Sequence, residues 1–290
     1  MNLLHLQALL LAIETGSISA AARQLGKKQS QVSQWISDLE IDLGVSFFDR
    51  SGNKTTLSQD GEKLLPYLTH SLGQLDKFVQ NAQELAKSEP TILRIGMENY
   101  IPDFAFTPAL AAVLDIVNLN LEVYREEAGQ LEKDLCEGLT DIILTHESDT
   151  IHHTRFDYCR LGYYHEELVC SPRHPLAESS SLNLQDLSEH SELVWGDVSH
   201  GDENGFSPHY GLFADINILI AMLKLGKGFA FLPREYVSTL VMDKQLVSLN
   251  CDFEPVGIKR KVELCWRNGL TLSKKGSKVI DAFKQEHSLI

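Results

Sequence analysis

The chain lacks the features of a secreted, disulfide-bonded or membrane-embedded protein. Its 290 residues include five cysteines, an odd number with no pair at C-x-x-C spacing, so neither a disulfide framework nor a zinc site is expected. No apolar run is long enough to span a bilayer, and the first residues do not combine a basic start with an apolar core. We therefore expect a cytoplasmic protein with reduced thiols and no metal or other cofactor.

An excess of basic residues is also missing. The net charge is −14, which argues against indiscriminate binding to nucleic acid. Residues 1–58 differ from the rest because their five basic and five acidic side chains cancel. Their basic residues gather at 23–28 and 50–54, so any DNA contact is expected within this segment.

Apolar spacing in the first 45 residues predicts three helices. Leucines and isoleucines recur at helical intervals from Leu3 to Ile13, a short alanine-rich helix runs from Ile18 to Leu25, and a longer one runs from Gln29 to Leu43. Gly26 separates the last two, which is typical of a helix-turn-helix.

The third predicted helix carries polar groups suited to reading bases. Val32, Ile36 and Leu39 form its apolar stripe, and the other face carries Gln29, Ser30, Ser33, Gln34 and Ser37. Glutamine can pair bidentately with adenine, and serine can bond to base edges or phosphates. A merely solvated polar face is the alternative interpretation.

A hairpin with basic residues is predicted after this helix. Ser51, Gly52 and Asn53 form a turn signal between two short β-prone stretches, and Arg50 and Lys54 flank the turn. Such a wing could hold phosphates or enter the minor groove.

These segments together resemble the DNA-binding domain of LysR-type transcriptional regulators. The matching strings are residues 16–25, 29–33, 39–44 and 48–50, in the family's order and spacing over nearly sixty residues. The resemblance implies a winged helix-turn-helix whose third helix enters the major groove and whose hairpin is the wing. It assigns DNA contacts to Lys28, Gln29, Ser30, Gln31, Ser33, Gln34, Arg50, Asn53 and Lys54.

Three residues depart from the family pattern. Lys28 stands where serine or threonine is usual and cannot accept the N–H bonds that an N-cap accepts. Gln34 replaces a common arginine, which would shift base preference away from guanine. Phe47 replaces a leucine, which changes packing only.

A long helix is predicted over residues 59–89. Its apolar residues alternate by three and four, a coiled-coil seam that predicts a homodimer or homotetramer; the seam consists of Leu65, Leu68, Leu72, Leu75 and Val79. Packing of this helix on its own domain is the alternative. Pro66 is expected to cost a hydrogen bond or to kink the helix.

Strands alternate with helices after residue 90, which predicts an α/β sheet. Segments 138–143, 167–177 and 219–233 resemble effector-domain segments of the same family. The family implies two Rossmann-like subdomains joined by two crossing strands, as in a periplasmic binding protein. We place domain boundaries at 1–58, 59–89 and 90–290, with subdomain I at about 91–162 and 266–290, and subdomain II at about 163–265.

Ligands of α/β sheets bind beyond the carboxyl ends of strands. The family places a small effector in the cleft between the subdomains, and the polar loop residues that follow predicted strands or open a helix become candidates: Glu98, Asn99, Tyr100, Gln130, His146, Asp197 and Ser199. Ordinary polar loop residues are the alternative for each. Glu98 would repel an anion, so no anionic effector is assumed.

The leading hypothesis is a regulator, not an enzyme, that binds double-stranded DNA at an interrupted inverted repeat and responds to a small effector. No G-x-S-x-G or S-x-x-K nucleophile motif occurs. Two alternatives stay open: a cytoplasmic binding module or enzyme with a non-functional DNA-binding head, and an architectural dimer that needs no effector.

Overall fold

The computed structural model describes residues 2–49, 56–86, 89–147, 155–196, 205–285 and 289. The chain folds into two compact units, residues 1–83 and 84–290. The first unit contains four helices and a small hairpin, in the order α1 (Leu3–Glu14), α2 (Ile18–Gln24), α3 (Gln29–Leu43), β1 (Phe48–Asp49), β2 (Thr56–Leu57) and α4 (Gln59–Leu85). The three predicted N-terminal helices and the hairpin strands are therefore confirmed.

Local chemistry defines the ends of the first helices. The side chain of Asn2 caps α1 and that of Ser17 caps α2, while Lys28 gives α3 no side-chain cap, as expected from its ammonium group. Gly44 ends α3 at φ 67°, a left-handed conformation that glycine adopts without strain.

The core of the first unit is made of small and branched apolar side chains. Ala21 and Ala22 of α2 are buried against α1 and α3, and their short side chains permit close helix approach. Val32, Ile36 and Leu39 are buried on α3 as the predicted stripe. This packing fixes which face of α3 remains exposed.

Helix α4 contains Pro66 and still runs for 27 residues. Asp60 and Glu62 lie in its first turn, where negative charge complements the helix dipole. Pro66 falls after the first turn, so its missing N–H removes one helix hydrogen bond without ending the helix.

The second unit is built on a nine-stranded mixed sheet with helices on its faces. Its strand order is β4-β3-β5-β11-β6-β9-β7-β8, with β10 paired to β6. The elements are β3 (Ile92–Glu98), α5 (Thr107–Leu114), β4 (Asn120–Glu126), α6 (Ala128–Glu137), β5 (Ile142–His146), β6 (Phe156–Cys170), α7 (Leu184–Ser188), β7 (Glu192–Trp195), β8 (Tyr210–Phe213), α8 (Ile216–Lys224), β9 (Phe229–Pro233), α9 (Arg234–Met242), β10 (Val247–Ser248), β11 (Ile258–Arg267) and α10 (Lys274–Gln285).

Two long antiparallel strands join the two halves of this unit. Strand β11 pairs with β5 through residues 262–266 and with β6 along its whole length, while residues 166–170 of β6 pair with β9. The two Rossmann-like subdomains with two crossing strands are therefore confirmed. Each has its own apolar core, one around Ile95, Leu144 and Leu264, the other around Val169, Leu223 and Leu232.

The last helix is tied back to the start of this unit. The carboxylate of Glu89 accepts hydrogen bonds from the backbone N–H groups of Lys274 (2.9 Å) and Lys275 (3.0 Å). These bonds hold the pKa of Glu89 below its usual range. Within the described part of the chain, no helix has the length and apolarity needed to cross a membrane.

Candidate DNA interface and effector cleft

The solvent-facing side of α3 carries the predicted DNA-contacting residues. Six of them are exposed: Lys28, Gln29, Ser30, Gln31, Ser33 and Gln34. They lie at the N-terminal end and first half of the helix, opposite the buried stripe. Because α3 has no side-chain cap, the amides of Gln29 and Ser30 in its first turn can meet an external acceptor such as a phosphate oxygen, while the N–H of Gln31 donates to the carbonyl of Lys28.

Contacts on both sides of α3 hold this surface in place. The indole of Trp35 stacks on the imidazole of His5, with ring centroids 5.3 Å apart. Glu40 accepts a 2.7 Å hydrogen bond from the backbone N–H of Phe47 and so ties the helix to the segment that leads into β1. The polar face is therefore displayed by a rigid element.

The basic residues of the predicted wing, Arg50, Asn53 and Lys54, lie outside the described residues. The antiparallel pairs Phe48–Leu57 and Asp49–Thr56 flank that segment.

The predicted coiled-coil seam on α4 is only partly open to a partner, and its role in dimerisation stays a prediction. Leu72 is 7% exposed and Leu68 packs against the core of its own unit, so two of the five seam residues are used within the chain. Leu65 and Leu75 are half-buried, and Val79 is exposed. The large apolar side chains that α4 leaves most open are Tyr67 (73% exposed), Phe78 (67%) and Leu85 (69%), and Val79 (45%) is also exposed.

A cleft of about 500 Å³ lies between the two subdomains of the second unit. Three predicted effector residues line it: Glu98 at the end of β3, Tyr100 just after it, and His146 at the end of β5. This is the position expected beyond the carboxyl ends of parallel strands. These three residues therefore line the cleft, and their role in binding an effector stays a prediction.

Other cleft residues were missed by sequence reasoning. Subdomain II contributes Glu192 and Trp195, and the crossing strands contribute Tyr164, Glu166 and Arg260. The sequence did offer one signal for them: Tyr164 and Glu166 are two residues apart along β6, and residues so spaced in a strand share a face of the sheet.

A chain of hydrogen bonds organises the cleft floor. One carboxylate oxygen of Glu98 accepts from the backbone N–H of His146 (2.6 Å), and the other lies 3.2 Å from Nδ1 of His146. Nε2 of His146 lies 2.9 Å from the hydroxyl of Tyr164. A carboxylate oxygen accepts, so this arrangement suits a ring proton on Nδ1 of His146; in that tautomer Nε2 accepts from the Tyr164 hydroxyl.

Several charged groups elsewhere in the cleft have partners. Glu166 accepts from Nε of Arg260 at 2.9 Å, and Glu192 accepts from the backbone N–H groups of Phe206 (2.7 Å) and Ser207 (3.2 Å). Lys261 lies 2.5 Å from Glu147 and holds the pKa of that carboxyl low. Burial raises the pKa of Tyr164, which keeps its phenol neutral.

Tyr100 occupies an unusual backbone conformation beside the cleft. Its φ is 68°, a region that bulky residues rarely adopt and that costs about 1–3 kcal/mol. Arg125 braces this turn by donating to the carbonyls of Glu98 (3.2 Å) and Ile101 (2.9 Å). The turn presents the Tyr100 ring edge-on to Trp195 of the other subdomain, with centroids 5.7 Å apart.

Two other predicted effector residues, Gln130 and Asn99, do not line the cleft. Gln130 is exposed on α6, which begins at Ala128, and its amide donates to Asp134 (2.6 Å) because Leu131 and Leu135 take the buried face. Asn99 donates its backbone N–H to Glu126. Neither residue is among the described residues that line the cleft. Asp197 and Ser199 lie outside the described residues.

The cysteines do not form a reactive thiol site. Burial raises the pKa of all five thiols, and that of Cys170 and Cys265 reaches about 12. A thiol with a raised pKa is a poor nucleophile because little thiolate is present at neutral pH. The described residues contain no cluster of three or more potential metal ligands.

Two family models match the chain. The model described as "Bacterial regulatory helix-turn-helix protein, lysR family" matches residues 3–62, and that of the "LysR substrate binding domain" matches residues 87–288. Together they cover both units described above.

Curated relatives and solved structures give the same picture. The multiple virulence factor regulator MvfR of Pseudomonas aeruginosa is 28% identical, with 98% of this chain and 86% of that protein covered. The transcriptional regulator MetR of Salmonella typhimurium is also 28% identical, over 81% of this chain and 76% of MetR. A full-length OxyR variant from P. aeruginosa shares the fold at a TM-score of 0.54 and 17% identity, covering 98% of this chain and 99% of that one.

Proposed function

This chain belongs to the LysR family of bacterial DNA-binding transcriptional regulators, and from that membership we propose that α3 reads base edges in the major groove. Its C-terminal unit is the effector-binding domain of such a regulator. The observation that carries the proposal is the exposed polar face of α3, on which Gln29, Ser30, Ser33 and Gln34 stand free of the core.

The proposed reading mode follows from the side chains present. Gln29 and Gln34 offer a donor and an acceptor each, and the serines offer hydroxyls to bases or phosphates. Lys28 and the open amides at the start of α3 supply phosphate contacts that set the register. We assign further phosphate contacts to Arg50, Asn53 and Lys54.

The proposed assembly is at least a dimer joined through α4. Tyr67, Phe78 and Leu85 recur at spacings close to whole helical turns and lie along one face. Covering three large exposed apolar side chains favours association with an identical helix. A two-fold dimer would bind an interrupted inverted repeat, and chromosomal DNA places the protein in the bacterial cytoplasm.

The proposed effector site is the cleft floor at Glu98, Tyr100 and His146. In the tautomer with the His146 ring proton on Nδ1, the Tyr164 hydroxyl donates to Nε2, so its oxygen faces a ligand as an acceptor, as does the Glu98 carboxylate. This floor favours a ligand that brings N–H donors, such as a protonated amine, over a simple carboxylate. Binding would shift the subdomains relative to one another.

DNA reading is tested by gel shift on the DNA upstream of the protein's own gene. Gln34→Ala and Arg50→Ala are each expected to weaken binding at least about fivefold. Gln285→Ala, which removes an exposed glutamine from α10, is the matched control and should bind as the wild type does. Unchanged affinity of both test variants would argue strongly against the proposal.

The effector site is tested by a thermal-shift screen of primary amines, free amino acids and monocarboxylates. A bound ligand raises the apparent Tm by mass action. Glu98→Gln should abolish the shift produced by an amine, whereas Gln130→Ala, outside the cleft, should retain it. A monocarboxylate that stabilises both variants equally would contradict the acceptor-rich site, and a protein that binds ligands but no DNA would support the binding-module alternative.

A further inference from the structure

The side chain of Gln34 has a partner on its own helix. Its amide Nε2 donates a 2.7 Å hydrogen bond to Oδ1 of Asp38, one turn further along α3. Residues four apart lie on the same helix face, so Asp38 stands beside Gln34 on the surface that faces DNA in the proposed function.

The chemistry of Asp38 fixes which way the Gln34 amide is turned. An ionised carboxylate has acceptors only, so the amide NH₂ must be the group that faces it. The carbonyl oxygen of Gln34 and its second N–H therefore remain directed away from Asp38. A free glutamine would instead exchange its oxygen and nitrogen by rotating about its last bond.

The remaining edge of Gln34 matches adenine. In the major groove, adenine presents the N6 donor beside the N7 acceptor, which suits one acceptor and one donor on the protein. Guanine presents two acceptors, O6 and N7. With its nitrogen bonded to Asp38, the Gln34 amide would bring its carbonyl oxygen towards O6 or N7 of guanine, and two acceptors repel each other.

We propose that Asp38 is a positioning residue for base recognition: it holds the Gln34 amide in the orientation that selects adenine over guanine. This inference rests on the proposed function, because it requires that α3 reads the major groove. Asp38 touches no base in this scheme and acts through Gln34.

The charge of Asp38 gives the proposal a distinctive signature. A carboxylate on the DNA-facing helix repels phosphates and lowers affinity for every sequence. Orientation of Gln34, by contrast, affects preference at one base pair. The two effects separate because Asp42→Asn removes a neighbouring charge without changing the partner of Gln34, whereas the Asp38→Asn amide can donate as well as accept and so no longer fixes the Gln34 orientation.

The experiment is a selection of binding sites from random double-stranded DNA by the full-length protein. The Kd is then measured for DNA that carries A·T or G·C at the base pair where Gln34→Ala loses its sequence preference. Asp38→Ala, Asp38→Asn and Asp42→Asn are compared with the wild type. Asp42, one turn beyond Asp38 and exposed, is the matched control for loss of a negative charge.

The wild type should prefer adenine by about tenfold at this position. Asp38→Ala should reduce that preference to about threefold or less. Asp38→Asn and Asp42→Asn should both bind all DNA more tightly. Asp42→Asn should keep the preference within about twofold, whereas Asp38→Asn should reduce it as Asp38→Ala does, because its amide can pair with either end of the Gln34 amide.

Three results would overturn the inference. If Asp38→Ala keeps the wild-type preference while Gln34→Ala loses it, α3 still reads DNA and only the role of Asp38 fails. If Asp42→Asn reduces the preference as strongly as Asp38→Ala, the effect is one of charge and not of positioning. If the wild type enriches no sequence, or if Gln34→Ala loosens no position, the reading by α3 fails together with the inference.

Discussion

The hydroxyl oxygen of Tyr236 accepts a 2.7 Å hydrogen bond from the backbone N–H of Asp103. Tyr236 lies on α9 of subdomain II, and Asp103 begins a short 3₁₀ turn in subdomain I, so the bond joins the two subdomains directly. The Tyr236 ring also meets Phe104 and Trp195 edge-on, with centroids 5.8 Å away in both cases. These contacts link the subdomains beside the effector cleft.

Replacing Tyr236 with phenylalanine isolates the hydrogen bond, because the ring contacts are kept. We expect Tyr236→Phe to destabilise the effector domain by about 1 kcal/mol, which lowers its Tm by about 2–4 °C. Tyr210→Phe is the control because that side chain is 65% exposed. Thermal unfolding measures both, and equal Tm values for the two variants would contradict a stabilising role for the bond.

Truncating a core side chain of α3 should destabilise the first unit without destabilising the second. Leu39 is fully buried, so Leu39→Ala should cost about 3 kcal/mol, a large part of the stability of so small a domain. We expect faster amide exchange in residues 3–43 and loss of DNA binding, with exchange in the effector domain unchanged. Leu43→Ala, at a 45% exposed position, should change exchange little; an equal effect would refute this account of the core.

A close backbone approach makes Gly228 necessary at the start of β9. A Cβ at this position would lie 2.2 Å from the carbonyl oxygen of Ser191, which accepts from the N–H of Phe229. Gly228→Ala should therefore destabilise the domain by about 1–3 kcal/mol. Gly129→Ala on α6, where a Cβ meets nothing within 4 Å, should stabilise it by up to about 1 kcal/mol. Urea unfolding measures the change in the free energy of unfolding for both variants. An unchanged value in Gly228→Ala would show that the strands can move apart.

His174 predicts a pH dependence of stability. Burial lowers its pKa, and nearby His190 adds to the effect; Nδ1 of the neutral ring accepts from the N–H of Leu176. A histidine with a lowered pKa binds its proton less tightly when folded, so its contribution is present above the unfolded pKa of about 6.5 and is lost as the pH falls through the folded value. The Tm should therefore drop between pH 7.5 and 5.5.

In His174→Asn the amide oxygen can replace Nδ1 as acceptor without titrating. The drop in Tm between these two pH values should become smaller in this variant and stay unchanged in His209→Asn, at an exposed histidine. Equal drops in the wild type and His174→Asn would assign the pH dependence to other groups.

Several elements could be predicted because they depend on neighbours in sequence. The spacing of Val32, Ile36 and Leu39 gave the buried face of α3, and therefore the exposed face with Gln34. The positions of Glu98 and His146 at predicted strand ends indicated that the two residues lie at the same edge of the sheet, because parallel strands bring their carboxyl ends together there. The missing N-cap at Lys28 followed from its side-chain chemistry alone.

Predictions failed where distant segments decide the outcome. The leucine pattern of α4 identified an apolar face but not what covers it, and Leu72 turned out to pack in its own unit while Tyr67 and Phe78 remain open. Gln130 was a reasonable candidate at the start of a helix, but packing of Leu131 and Leu135 turns it to solvent.

The sequence alone therefore determined the N-terminal helices and hairpin, the long helix, the α/β class of the second unit, the family and the polar face of α3, because periodicity, capping and turn chemistry act over a few residues. Only the tertiary structure decided the composition of the effector cleft, where Glu98, Tyr164 and Arg260 come together from three strands. The physical reason is that strand pairing and subdomain packing, not spacing along the chain, set which side chains share one cavity.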